Sequence, residues 1–316
     1  MPTITIFMAS LFKLSLAALA LVGAGATPVV APVDPLTVAD DDFARHRDPA
    51  TWRGLTVTRI EFAEERATWR LWKIADRKRP RGPLWFVPHD DENAGFEAAL
   101  VAIRRYGGTI VAVDSGLVAD RDGRRRNDAV AFGRGIDPNR NFHDGLPGYP
   151  SQVLAAINAG AWPIIALHTN SPGYEQDRST CPGRGGARGE GVISILYCSA
   201  VLTPSASQSR RYPFDDADTV AFATHLATRT PSDAFCRDEM VRDDWNVVQE
   251  RVMNSDGSLS NYAVLHGLDY LNFETMETGL DRVALSAARD RLTWMIDRAM
   301  ALCGKARPVT KRLRFR

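Results

Sequence analysis

His89 and Glu92 stand three residues apart in Pro88-His-Asp-Asp-Glu-Asn93, a spacing at which an imidazole and a carboxylate can converge on one cation. Further polar clusters follow: Asp137-Pro-Asn-Arg-Asn141, His168 with Thr169 and Asn170, and Glu274 within Asn272-Phe-Glu-Thr-Met-Glu-Thr-Gly279. With His168 as third donor the set becomes two imidazoles and one carboxylate. Such a set leaves a coordination position open for water, which marks a catalytic site rather than a structural one. Taken alone, His-x-x-Glu reads first as a solvated acidic turn, and a lone histidine closing a strand is equally a hydrogen-bonded one. The coincidence of the clusters is what favours the metal.

These side chains need a scaffold that brings distant segments to one place. Residues 83–87 are apolar throughout and read as a buried strand, stopped by Pro88 and followed by a helical pattern over 95–106. After Gly107-Gly108 a second apolar run over 109–113 completes a β-α-β unit, whose strands run parallel and carry function at their carboxyl ends. Residues 162–167 read as a further buried strand delivering His168, and 268–273 as a last strand ending at Glu274. Segments 55–62 and 68–74 read as a hairpin at a sheet edge. Helices are expected over 151–160, 216–228, 243–252 and 284–303, and a strand over 192–197. The fold class is therefore α/β: a single domain over 51–304 with a central mixed, largely parallel sheet flanked by helices. Strand ends of such a sheet share one rim, where the four clusters can face a common cleft.

The chain has 316 residues, 45% of them hydrophobic and 24% charged, an ordinary globular composition. Lys13, an apolar run over 14–22 and the small residues Ala24-Gly-Ala26 read as an export signal over 1–26, too short in its apolar part to span a bilayer. Residues 27–50, rich in Pro, Val and Asp, read as a linker or loose arm. The tail 305–316 carries six basic side chains and no acid, so the body between is net acidic and nucleic acid is excluded as a partner. Four cysteines in an exported chain imply two disulfides, and of the three pairings Cys181–Cys198 with Cys236–Cys303 is preferred, because the first clips the Gly-rich segment between them. A periplasmic or secreted location is expected, with no stable membrane span.

In order and in type the clusters resemble the zinc metallocarboxypeptidase superfamily, the carboxypeptidase A clan that includes succinylglutamate desuccinylases and aspartoacylases. His89-x-x-Glu92 matches the first two ligands, Asn139-Arg-Asn-Phe142 the carboxylate clamp, His168 the third ligand, and Phe273-Glu274 with Thr278-Gly279 the final motif. The resemblance spans residues 89–279. It implies one zinc ion per chain, Glu274 as general base, and Arg140 with Asn139 holding a substrate carboxylate. The same Asn-Arg pair pinning a turn to a neighbouring Asp is the alternative. The resemblance also implies an arginine that polarises the scissile carbonyl, for which Arg134 is the candidate and Arg126 the runner-up, and a tyrosine near the base, for which Tyr262 is preferred over Tyr270. The short interval between Glu92 and His168 leans toward the desuccinylase and aspartoacylase branch, whereas export and disulfides lean toward a peptidase. Asp90 and Asp91 are candidates for orienting His89.

The expected function is thus an exported zinc-dependent hydrolase that cleaves an amide or peptide bond beside a free carboxylate. Its substrate would be a peptide, cell-wall peptides included, or an acyl-amino acid. The alternatives are an N-acyl amino acid deacylase and a metal-free binding module of the same fold.

Overall fold

Segments that are apolar on both faces build the middle of the sheet, and segments that alternate build its margins. The computed structural model describes residues 27–65, 67–115, 129–131, 134–157, 161–170, 179–182, 193–279 and 281–303. Its strands are β1 (Val29–Pro32), β2 (Leu55–Glu64), β3 (Ala67–Asp76), β4 (Leu84–Val87), β5 (Thr109–Val113), β6 (Ala129–Ala131), β7 (Arg134–Ile136), β8 (Ile164–Asn170), β9 (Leu202–Ser205), β10 (Val220–Leu226), β11 (Val247–Val252) and β12 (Tyr270–Met276). The helices are α1 (Asp41–Ala44), α2 (Pro49–Trp52), α3 (Asn93–Tyr106), α4 (Gly148–Val153), α5 (Arg237–Arg242), α6 (Leu259–Leu265) and α7 (Arg282–Cys303). β6 and β7 form a separate small ribbon, and the other strands make one ten-stranded sheet in the order β1-β2-β3-β5-β4-β8-β12-β10-β11-β9.

The sheet is mixed. β5, β4, β8 and β12 run parallel at its centre, where β4 and β5 are buried at every position, as strands covered on both faces must be. Parallel order is thus confined to the centre and to the β10–β11 pair, because hairpins and returns make the remaining ladders antiparallel. Helices α3 and α7 cover one face around Trp85, Phe96, Leu167 and Phe273. α4, α6 and the turn at 138–142 cover the other around Trp69, Phe86, Phe142 and Tyr149.

Several expectations need correcting. Segments 216–228 and 243–252 hold β10 and β11 rather than helices. Val220–Leu226 is too short and too evenly apolar for periodicity to tell strand from helix, and burial between two neighbouring strands decides it. Residues 193–197 form a turn rather than a strand, with Tyr197 N–H donating back to Ser194 O at 3.2 Å. Helix α4 starts before 151 and is over by Val153, passing into a single 3-10 turn. The hairpin of β2 and β3 lies one strand in from the edge, because β1 pairs outside it. Residues 27–50 are docked rather than loose: Phe43 is fully buried, stacked on Trp52 at 5.1 Å and edge-on to Trp72 at 5.0 Å. The export signal and the basic tail lie outside the described residues.

Both preferred disulfides are present, Cys181–Cys198 and Cys236–Cys303, with Cα–Cα distances of 4.7 and 5.5 Å. The second joins the start of α5 to the end of α7 across 67 residues. Replacing Cys236 and Cys303 together by serine is expected to lower the unfolding free energy by about 2–4 kcal/mol through the freed loop entropy. Urea unfolding of the oxidised protein checks this, and an unchanged midpoint would contradict it.

Candidate metal centre

The carboxyl end of β4 passes through Pro88 into the turn that carries His89 and Glu92, and α3 starts at Asn93. The first turn of α3 must lie close against β8 for Glu92 to reach the sheet. Gly95 allows this, since a Cβ there would stand 2.9 Å from Leu167 O. His168 and Glu274 sit inside β8 and β12 rather than at their ends, and they are direct partners across the parallel ladder. Strand pairing therefore places an imidazole and a carboxylate side by side on the same face of the sheet.

Donor atoms of His89, Glu92 and His168 all lie within 4.8 Å of one another. His89 Nδ1 is 2.6 Å from Glu92 Oε1, and His168 Nδ1 is 3.2 Å from Glu92 Oε2, which also accepts from Thr169 N at 2.9 Å. The two rings meet edge to face with centroids 4.9 Å apart. On its far side His89 Nε2 contacts Asp137 Oδ1 at 3.0 Å, the carboxylate–imidazole arrangement that orients a ligating histidine. His168 is 2% exposed and its Nε2 has no hydrogen-bond partner among the described residues. Two imidazole nitrogens and one carboxylate converging at this spacing fit a divalent cation of the zinc type, and three protein donors leave a position open.

Charge is distributed unevenly. Burial presses Glu92 upward, but the charge on His89 and then on His168 outweighs it and holds the carboxyl down at about 2. Burial works against the His89 imidazolium, yet Glu92 and Asp137 raise its pKa well above the ordinary value. Asp137 is lowered, its burial overcome by the bond from His89. Glu274 behaves oppositely: burial raises it, with His168 opposing and Glu92 adding to the rise. Its Oε1 lies 4.0 Å from His168 Nδ1 and accepts from Asn272 Nδ2 at 3.0 Å.

The other expected site residues are less tightly gathered. Asn139 and Arg140 lie on a 3-10 turn, Pro138–Arg140, capped by Asp137, whose Oδ1 accepts from Asn139 N at 2.7 Å. Asn139 Oδ1 accepts from Leu259 N at 3.3 Å. Arg140 is half exposed, with Nη1 donating to Asn139 O at 3.1 Å and Nε 3.6 Å from Asp256 Oδ2. Tyr262 is turned to packing, stacked on His266 at 4.0 Å and tilted on Phe142 at 5.9 Å. Tyr270 is buried within β12. Arg134 contributes backbone to β7, while its side chain and the whole of Arg126 lie outside the described residues.

Sequence reasoning gave no role to Asp137 or Asn272. Asp90, a candidate for orienting His89, instead accepts from Ser115 N and Oγ at 3.1 and 2.7 Å, and Asp137 takes that place. The signal for Asn272 was available: two residues before Glu274 on a strand means the same face.

No family model matches the chain, and no curated protein matches it. Among solved structures it is similar to a proposed metallopeptidase of Shewanella denitrificans OS217, at 14% identity and a TM-score of 0.41, covering 87% of this chain and 96% of that one. It is also similar to the succinylglutamate desuccinylase of Chromobacterium violaceum, at 13% identity and a TM-score of 0.38, covering 76% and 70% respectively. A succinylglutamate desuccinylase of Silicibacter sp. TM1040 is similar at 13% identity, a TM-score of 0.39, and coverage of 89% and 72%. Likeness at this level transfers no residue roles.

Removing one donor or its support should show in metal affinity. His168→Ala is expected to lose the metal, and Asp137→Ala to weaken zinc affinity by about 10–100-fold. Competition with a chromophoric chelator measures both, and full zinc occupancy in His168→Ala would overturn the ligand assignment.

Proposed function

We propose that the chain is a zinc-dependent hydrolase of the zinc carboxypeptidase-like kind, cleaving an amide or peptide bond beside a free carboxylate. The observation that carries this reading is the convergence of His89, Glu92 and His168 with Glu274 as the cross-strand neighbour of His168. His89, Glu92 and His168 would hold the cation. A zinc ion bound there supplies a Lewis acid that polarises a carbonyl and acidifies a water.

The chain's own groups account for the proton and for orientation. Glu274, ionised, takes a proton from the water that adds to the carbonyl carbon. It then delivers that proton to the nitrogen as the C–N bond breaks, so that a carboxylic acid and an amine leave, the acid losing its proton to the amine or to solvent. Asn272 holds Glu274 Oε1 and so fixes the direction in which the proton travels. Arg140, half exposed on its turn, offers its guanidinium to the substrate carboxylate. Arg134 is the proposed carbonyl-polarising arginine, Asn139 a further carboxylate contact and Tyr262 a contact at the substrate's edge.

The substrate is a peptide or an acyl-amino acid with a free carboxylate, cell-wall peptides included. Two disulfides support a periplasmic or secreted setting, and no helix among the described residues is long and apolar enough to cross a membrane. A panel of short peptides and N-acyl amino acids separates peptidase from deacylase: release of a C-terminal residue from none of the peptides removes the peptidase reading.

Glu274→Gln is expected to keep zinc while kcat falls by roughly 10²–10⁴-fold; wild-type turnover would exclude Glu274 as the base. The base works only when ionised, so kcat/KM should rise with pH through its pKa. Because burial raises that pKa, the acid limb should lie above the ordinary glutamate value of about 4.3. A profile that stays flat down through that pH would count against this role.

A further inference from the structure

The turn that carries Asn139 and Arg140 is shaped from outside as well as by Asp137. The loop between β11 and α6, 120 residues further along the chain, grips it at four points. Leu259 N donates to Asn139 Oδ1 at 3.3 Å, and Phe142 N donates to Gly257 O at 2.9 Å. Asp256 Oδ2 stands 3.6 Å from Arg140 Nε. Gly257, at φ +83°, packs so closely that a Cβ would lie 2.6 Å from Arg140 O and 2.7 Å from His143 Cε1. Asp256 is itself fixed, because its Oδ1 accepts from Ser258 N at 2.9 Å and Ser258 Oγ at 2.5 Å.

We infer that Asp256 and Gly257 are positioning residues for Arg140, setting the guanidinium that receives the substrate carboxylate. The inference rests on the reading of Arg140 as the carboxylate anchor. A free arginine side chain has many rotamers, and the entropy lost on ordering it weakens any contact that must first order it. Asp256 stands at the Nε edge and the Asn139 carbonyl takes one Nη1 hydrogen, so two fixed neighbours restrict the directions open to the half-exposed guanidinium. Gly257 sets the height of the turn: any side chain there meets the Arg140 carbonyl, which is backbone and cannot swing away, in a conformation L-residues rarely adopt. Neither residue need touch the reacting bond. Their effect should appear in KM, not in kcat.

The test uses full-length, zinc-loaded Asp256→Asn and Gly257→Ala with two probes, an N-acyl dipeptide with a free C-terminal carboxylate and its carboxamide. For the carboxylate, KM is expected to rise roughly ten-fold in each variant, with kcat and zinc stoichiometry unchanged and KM for the carboxamide unmoved. Asp256→Glu should recover part of the loss, and Asp256→Asn should add nothing on an Arg140→Ala background. An unchanged KM, or an equal rise for both probes, overturns the inference, as does a full additional loss on the Arg140→Ala background. Asp256 is half exposed, so its variants carry the test if Gly257→Ala fails to fold. Arg140→Ala separates the two failures: if it leaves the carboxylate KM unmoved, the anchor itself is wrong and this inference falls with it. If it raises KM while Asp256→Asn does not, the anchor stands and only the positioning role is lost.

Discussion

A carboxylate withdrawn from water has to be met by positive charge or by donors at both oxygens, or it takes up a proton. Glu92 meets this demand with three partners at once. One oxygen faces His89 from its own turn, and the other faces His168 and the Thr169 amide from β8. Two of the partners belong to β8 and one to Glu92's own turn, so the position of α3 against β8 is fixed by electrostatics as well as by packing at Gly95. Removing either imidazole would leave a buried charge partly unanswered, which costs several kcal/mol in comparable pairs. A divalent cation on the same donors would answer the same negative charge, so the residues that make the fold locally consistent are those proposed to hold the metal.

The second constraint is Asp137. Its Oδ1 both holds His89 Nε2 and caps the turn on which Asn139 and Arg140 ride. The proposed ligand His89 and the proposed carboxylate anchor therefore share a single oxygen. Phe142, next in the chain, fastens the turn to the apolar layer beneath, edge-on to Phe86 at 5.7 Å and 5.1 Å from Tyr149. Distance between metal pocket and anchor is thus set by short, stiff links, which suits a site that measures the separation between a scissile bond and a terminal charge.

What the sequence made legible follows the range of the interaction. His89 and Glu92 are close in the chain and sit at a strand-to-helix joint, so local pattern places them. The β2–β3 hairpin, α3 and α7 were readable for the same reason. The partnership of His168 with Glu274 is a register between strands far apart in sequence, and no local signal encodes it. β10 and β11 are strands because β12 and β9 lie on either side to receive them; their own residues were compatible with helix. Residues 27–50 looked loose because Pro and Asp dominate them, yet one fully buried ring, Phe43, is enough to dock α1 on the core. The Asn139-Arg140 pair shows both sequence readings at once, since Arg140 does meet a neighbouring acid, Asp256, while its outer edge stays exposed.

Two carboxylates close to the same imidazole, His168, are driven in opposite directions, and that divergence supports giving them different work. Glu92 touches both rings directly, so attraction exceeds the cost of burial and the group stays ionised, as a metal ligand must. Glu274 is one strand further on, 4.0 Å from His168, with a single amide for a hydrogen-bond partner among the described residues and the negative charge of Glu92 within range. There burial prevails and its pKa rises toward the range where a group both takes and returns a proton. A ligand that exchanged protons easily would release its ion, and a carboxylate held at about 2 is too weak a base to take a proton from water. Placing Glu92 on the turn after β4 and Glu274 on β12, directly across from His168, keeps the two proposed tasks apart.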